Sequence, residues 1–216
     1  MEIDSKFMTN WQKTMDNSLL KGLGIPGFEL SKQNYDWLKD STYKAKQEAI
    51  NKNDTLIGHI REEYEISQWP VEFESFIIQA VGHPYLDRYR DNIDVISDAR
   101  PYYLNNMWVN FQKKYEFNPL HDHGGLLSFI IFVKIPFDLK EEDKIFPPNS
   151  SAFHTSRLAF VNNEASGGFT STLIDVDKTF EGKMLLFPAK QAHMVYPFYT
   201  SDDYRITVSG NIKLKV

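Results

Sequence analysis

Two periodicities divide the chain. In the first hundred residues apolar positions recur at the three-and-four spacing of a helix face, and after Pro101 they alternate with polar ones at the period of a strand. Tyr35, Leu38, Ala45 and Ala49 fall near helical spacing among Lys, Gln and Asp, which predicts a helix over 31–50. Phe73, Phe76, Ile77, Ala80 and Val81 stand at i, i+3, i+4, i+7 and i+8, which predicts a second helix over 70–81 with one face built to pack. Pro70 suits a first helical turn, and Gly82-His83-Pro84 breaks or kinks the helix, with a further helical piece over 85–90.

Beyond Pro101 the chain breaks into short runs rich in Val, Ile, Phe, Tyr and Thr, separated by Gly, Pro, Asn and Asp. Strands are predicted at 107–112, 119–123, 127–135, 157–161, 171–176, 183–187, 193–197 and 204–214. Eight short strands after a helical stretch give a mainly β fold with N-terminal helices, an α+β chain whose β part is a sandwich, jelly roll or barrel. The expected organisation is a helical buttress over 1–100 joined, within one domain, to a β core over 101–216. Two polar connections, 140–151 and 162–168, are candidate lids or plain loops.

Composition narrows the chemistry. The 216 residues hold 24 Lys+Arg against 29 Asp+Glu, a net charge of −5, with no basic run to track phosphates, so nucleic acid is a poor partner. No apolar stretch reaches membrane-spanning length and the start MEIDSKFMTNWQ lacks a signal-peptide core, so a soluble, cytoplasmic protein with no membrane partner is expected. Cys is absent, which excludes disulfides, thiolate metal sites and Cys nucleophiles. No Gly-rich phosphate loop, Gly-x-Ser-x-Gly elbow or His-Glu-x-x-His is present, so hydrolase and kinase readings lack support.

Histidines carry the remaining chemistry. On a strand, His121 and His123 share one face while Asp122 points away, an arrangement that suits two ligands on one metal, although taken alone it is more often a pair of surface histidines at a strand end. His193 opens a distant strand and supplies a third imidazole. In the last strand Arg205, Thr207, Ser209 and Asn211 alternate with Ile206, Val208, Gly210, Ile212 and Leu214. Its polar face either meets water or lines a pocket in which Arg205 grips a carboxylate through two parallel hydrogen bonds, with the Thr207 hydroxyl beside it. His59, His83 and His154 read as exposed or structural, and Glu62-Glu63 and Glu141-Glu142-Asp143 as solvated charge.

His121-Asp122-His123, His193 seventy residues on, and Arg205-Ile206-Thr207 twelve beyond that resemble the iron(II)- and 2-oxoglutarate-dependent oxygenases. Adding Trp108-Val109-Asn110, Gly124, Leu127-Ser128, Phe187-Pro188 and Asn211, the pattern from Asn106 to the C-terminus is similar to a family of small 2-oxoglutarate oxygenases found in bacteria and their phages. The resemblance implies a double-stranded β-helix, or cupin-like jelly roll, with iron(II) on His121, His123 and His193. It also implies 2-oxoglutarate held at its far carboxylate by Arg205 and Thr207 and touched by Asn110, with Trp108 and Ser128 near the pocket. The activity it implies is hydroxylation of a C–H bond of a small-molecule or peptide substrate, using molecular oxygen and releasing succinate and CO2.

The wider superfamily places Asp or Glu where this chain has His123, and Asp122 is one position out of phase. Three histidines, or Asp122 brought in by a bulge before Gly124-Gly125, are both compatible with the sequence. Two other readings stand beside the oxygenase: a three-histidine cupin dioxygenase that does without 2-oxoglutarate, and a non-catalytic jelly-roll binding module. Neither the substrate nor the oligomeric state is encoded in these motifs.

Overall fold

The computed structural model describes residues 24–78, 102–146 and 154–215. Helix α1, Lys32–Glu48, starts where the Ser31 hydroxyl accepts from Asn34 N at 3.2 Å, and ends where Ala49 turns left-handed at φ 54°. It buries Leu38, Thr42 and Ala45 on one face, and Tyr35 donates to the Val133 carbonyl at 2.8 Å. Helix α2, Val71–Ser75, comes after Pro70 and buries Phe73, with Phe76 and Ile77 buried just beyond it. Residues 79–81 of the expected second helix, the break at 82–84 and the helical piece at 85–90 lie outside the described residues.

Ten strands are described: β1 Gly27–Glu29, β2 Glu63–Glu65, β3 Tyr102–Gln112, β4 Asn118–His121, β5 Leu127–Lys134, β6 Leu158–Asn163, β7 Phe169–Ile174, β8 Lys183–Pro188, β9 His193–Val195 and β10 Arg205–Leu214. They form a larger antiparallel sheet in the order β1-β8-β5-β10-β3-β2 and a smaller one in the order β4-β9-β6-β7. The two pack face to face as a double-stranded β-helix, mainly β with few helices. The first hundred residues are therefore not helical throughout. They supply β1 and β2, the two edges of the larger sheet, and a three-residue strand is too short to show a period of two.

Alternation along β5 and β10 separates two apolar layers. Phe129, Ile131, Val133, Ile206, Val208 and Ile212 face outward and pack with Leu38, Ala45 and Phe73 of the helices. Ile130 and Phe132 face inward and meet Leu158, Phe160 and Ile174 of the smaller sheet. At Gly210 a Cβ would fall 2.5 Å from the Phe129 ring, so β10 admits no side chain there. A short third helix, α3 Leu139–Glu142, corrects one expectation from composition: Glu142 is fully buried and accepts from the amides of Tyr199 and Thr200, while Asp143 pairs with Arg157. Among the described residues no helix is long and apolar enough to cross a membrane.

Candidate active site

The polar face of β10 does not meet water. Arg205, Thr207, Ser209 and Asn211 are all buried and line a cavity of about 380 Å³ between the sheets. Strand β3 supplies the neighbouring row by the same period of two, with Gln112 opposite Arg205, Asn110 opposite Thr207, Trp108 opposite Ser209 and Asn106 opposite Asn211. One end of this row is closed by hydrogen bonds, Ser128 Oγ to Asn211 Oδ1 at 2.6 Å and Asn211 Nδ2 to Asn106 Oδ1 at 3.0 Å. The Trp108 ring, 5% exposed, lies 5.6 Å from that of His123, so it is a core aromatic and a wall of the cavity at once.

Three imidazoles converge on this cavity. His121 ends β4 and His193 opens β9, and the two are cross-strand partners. Their rings stand 4.3 Å apart, and one ring nitrogen of each of His121, His123 and His193 lies within 4.8 Å of the others. His123 reaches the group by another route than expected, because β4 stops at His121. Backbone beyond the strand, fixed by His123 N donating to Ala189 O at 2.8 Å, carries its ring inward. Asp122 is exposed at the cavity rim, outside the histidine cluster, and accepts from Lys190 at 3.0 Å.

The imidazoles are poised as ligands. His121 Nδ1 donates to Pro119 O at 2.7 Å and His193 Nδ1 to Gln191 O at 2.9 Å, which leaves each Nε2 with a free lone pair. His123 Nε2 lies 3.2 Å from His193 Nε2. Two nitrogens each ~2.1 Å from one metal at roughly 100° are separated by about that distance, so the donor set fits a divalent ion. Burial lowers all three pKa values. Burial, then His121, takes His123 to about 4, and the same two causes take His193 to about 3, so both are neutral near pH 7.

Arg205 is 3% exposed and almost fully committed. Its Nε and Nη2 donate to Gln112 Oε1 at 2.9 and 2.6 Å, Nη2 also to Tyr196 O at 3.0 Å, and Nη1 to Ser156 O at 2.8 Å. Of five N–H groups one, on Nη1, remains, so a carboxylate would meet a single guanidinium hydrogen bond rather than the two parallel ones expected. No carboxylate among the described residues pairs with Arg205 within 4.0 Å, and burial lowers its pKa to about 9. Thr207 Oγ1 accepts from Asn110 Nδ2 at 3.4 Å, which frees its own proton for a ligand.

Two further wall residues were not legible in the sequence. Gln112 fixes Arg205, and its position in the Trp108-x-Asn110-x-Gln112 alternation was the available signal. Glu63, expected in solvent, is 2% exposed and lines the cavity opposite Asn110 on β2. Burial, then the charge of Glu116, raises its pKa to about 7. His59 stacks on Phe117 and His154 against Tyr196, away from the imidazole cluster, while His83 is outside the described residues.

A family described as "Putative 2OG-Fe(II) oxygenase" matches residues 106–211. No curated protein gives a significant match. Among solved structures the chain is similar to a Pseudomonas putida prolyl-4-hydroxylase, with 12% identity, TM-score 0.55, and coverage of 92% of this chain and 98% of that one. It is also similar to a prolyl hydroxylase from Trichoplax adhaerens solved with a hypoxia inducible factor peptide, with 11% identity, TM-score 0.50, and coverage of 99% and 94%. A third is SnoK, a non-heme alpha ketoglutarate dependent carbocyclase from nogalamycin biosynthesis, with 10% identity, TM-score 0.53, and coverage of 95% and 86%. At these identities the structural likeness establishes the double-stranded β-helix fold. Residues 106–211 thus match the 2OG-Fe(II) oxygenase family, and that family implies iron(II) and 2-oxoglutarate as cofactors.

Proposed function

We propose that this protein hydroxylates a C–H bond of a small-molecule or peptide substrate, consuming oxygen and 2-oxoglutarate and releasing succinate and CO2. The observation that carries this reading is the meeting, in one cavity, of three neutral imidazoles with a buried guanidinium that has no carboxylate partner. His121, His123 and His193 would hold the metal, His121 and His193 through Nε2 because each Nδ1 is tied to a carbonyl. Iron(II) held there would, together with 2-oxoglutarate, supply the reducing equivalents for splitting oxygen and the oxidising power to attack an unactivated C–H bond.

The chain's own groups select and place the cosubstrate. Arg205 provides an immobile positive charge, since Gln112, Ser156 and Tyr196 hold its plane and the Phe137 and Phe198 rings lie 5.8 Å from it. Thr207 donates its hydroxyl proton to the same carboxylate, and Asn110 orients Thr207. Ile130, Phe132, Phe187 and Trp108 keep water from the cavity. A three-histidine site that bound substrate directly would have no use for a buried Arg205 that faces the cavity with no carboxylate in direct contact, and this favours 2-oxoglutarate. Succinate release is the test: purified protein with iron(II), oxygen and 2-oxoglutarate should form succinate, slowly without substrate, and the Arg205→Ala variant should lose it. Succinate formation unaffected by Arg205→Ala would overturn the assignment.

A further inference from the structure

The far wall of the cavity is built by chain that precedes residues 106–211. Asn51 bridges to Tyr64 and Lys52 N donates to Glu63 O at 2.9 Å, so the segment between them folds back on itself. Its outer turn is pinned to the β core by His59 N donating to Phe117 O at 2.9 Å. This lip brings Leu56, Ile57 and Ile60 to the cavity, and Glu63 behind them. Glu63, Asn110 and Thr207 lie in one row across β2, β3 and β10, so the Glu63 backbone stands two strand spacings, ~10 Å, from the cosubstrate side.

Nothing in the described chain neutralises Glu63. One long hydrogen bond reaches it, from Asn53 Nδ2 at 3.5 Å. The cations around it are engaged elsewhere: Lys52 pairs with Glu65 at 2.7 Å, Lys46 with Glu62 at 2.5 Å, and Arg205 is held by Gln112. Beside it Asn110 Oδ1 is buried and accepts nothing. A buried carboxylate with a single weak bond costs stability unless something supplies donors, and unsatisfied buried polar groups are rare enough that one on a cavity wall points to a ligand.

We infer that the substrate of this cavity carries a cationic nitrogen, an ammonium or guanidinium, on an aliphatic stem, and that the Glu63 carboxylate receives it. This rests on the oxygenase reading and specifies its substrate. Leu56, Ile57 and Ile60 line the path for the stem, and the two buried charged groups of the cavity then divide the work: Arg205 takes the anionic cosubstrate and Glu63 the cationic substrate. The division also discriminates, because a substrate with its own carboxylate at that end would be repelled.

Full-length protein loaded with zinc(II), which cannot turn over, and 2-oxoglutarate gives a direct test by calorimetric titration with n-butylammonium and with n-butanol. The ammonium should bind the parent at least tenfold more tightly than the alcohol. Glu63→Gln should bring the two within about twofold, as should Glu63→Met, with 2-oxoglutarate affinity retained in both variants. Equal binding of the two probes to the parent, or an ammonium preference that survives both substitutions, overturns the inference while 2-oxoglutarate binding stands. Failure of the zinc-loaded parent to bind 2-oxoglutarate overturns the oxygenase reading itself, and the inference with it.

Discussion

Two of the charged groups in the cavity wall, Arg205 and Glu63, are buried, and they are built in opposite ways. Arg205 is buried and almost fully committed, with four hydrogen bonds to Gln112, Ser156 and Tyr196 that fix it before any ligand arrives and one N–H left over. Glu63 is as deeply buried and nearly bare, with one contact at 3.5 Å. The first pattern is preorganisation: the site carries the cost of ordering its donor at folding, and an anion finds a rigid charge. The second leaves its cost uncompensated until a donor binds, so Glu63 is a source of instability in the free protein. The difference tracks the sequence, since Arg205 lies within residues 106–211 and Glu63 outside them. On the proposed reading, the cosubstrate end of the cavity lies within the residues that match the family, while the wall proposed to meet the substrate comes from chain that precedes them.

Five substitutions would break or sharpen this contrast. The largest effect is expected from His193→Ala, which should weaken iron(II) binding by more than ~100-fold with the fold kept, measured by metal content after dialysis and by circular dichroism. Iron retained as in the parent would remove His193 from the metal site. Arg205→Ala should raise the Kd for 2-oxoglutarate by about 100-fold, because it removes the only buried cation facing the ligand among the described residues, and titration of metal-loaded protein reads this directly.

Glu63→Gln tests the other end through stability. The native pKa of about 7 lies above the ordinary carboxyl value, so the folded state holds the proton more tightly than the unfolded one. Stability from this group is intact below pH ~4.5, falls as pH rises toward 7, and is fully lost above it, a penalty of up to about 3 kcal/mol. Glu63→Gln should therefore stabilise the protein at pH 8 by about 2 kcal/mol and leave it near the parent at pH 4.5, as read by urea denaturation. A gain of equal size at both pH values would show that the Glu63 charge is not the cause. The smallest effect belongs to Asp122→Ala, which breaks only an exposed pair with Lys190 and should change iron affinity by no more than about twofold, whereas His123→Ala should weaken it strongly.

Legibility in the sequence depended on element length. β10 runs for ten residues, long enough for its alternation to declare a polar and an apolar face, and with it Arg205 and Thr207. The His121-x-His123 spacing and the distant His193 were equally visible, although the strand-face reason was only half right: His121 is on β4, but His123 is carried inward by the chain beyond it, where Gly125 turns at φ 117°. A register irregularity does occur in β4, between Asn118 and His121, and it does not bring Asp122 inward. Strands β1 and β2 were hidden because three residues carry no period, and the role of Glu63 was hidden with them. Its burial comes from pairing with β3, some forty residues away, and two adjacent glutamates look solvated until that pairing forms.

The central claim, that the three histidines and Arg205 form one iron and 2-oxoglutarate site, is tested most directly by anaerobic titration of the metal-free protein with iron(II) and then 2-oxoglutarate, monitored by visible absorption. A weak band that needs both components, and that Arg205→Ala loses at the same 2-oxoglutarate concentration, is the result expected. Iron binding with no band on adding 2-oxoglutarate, or no iron binding at all, would contradict it.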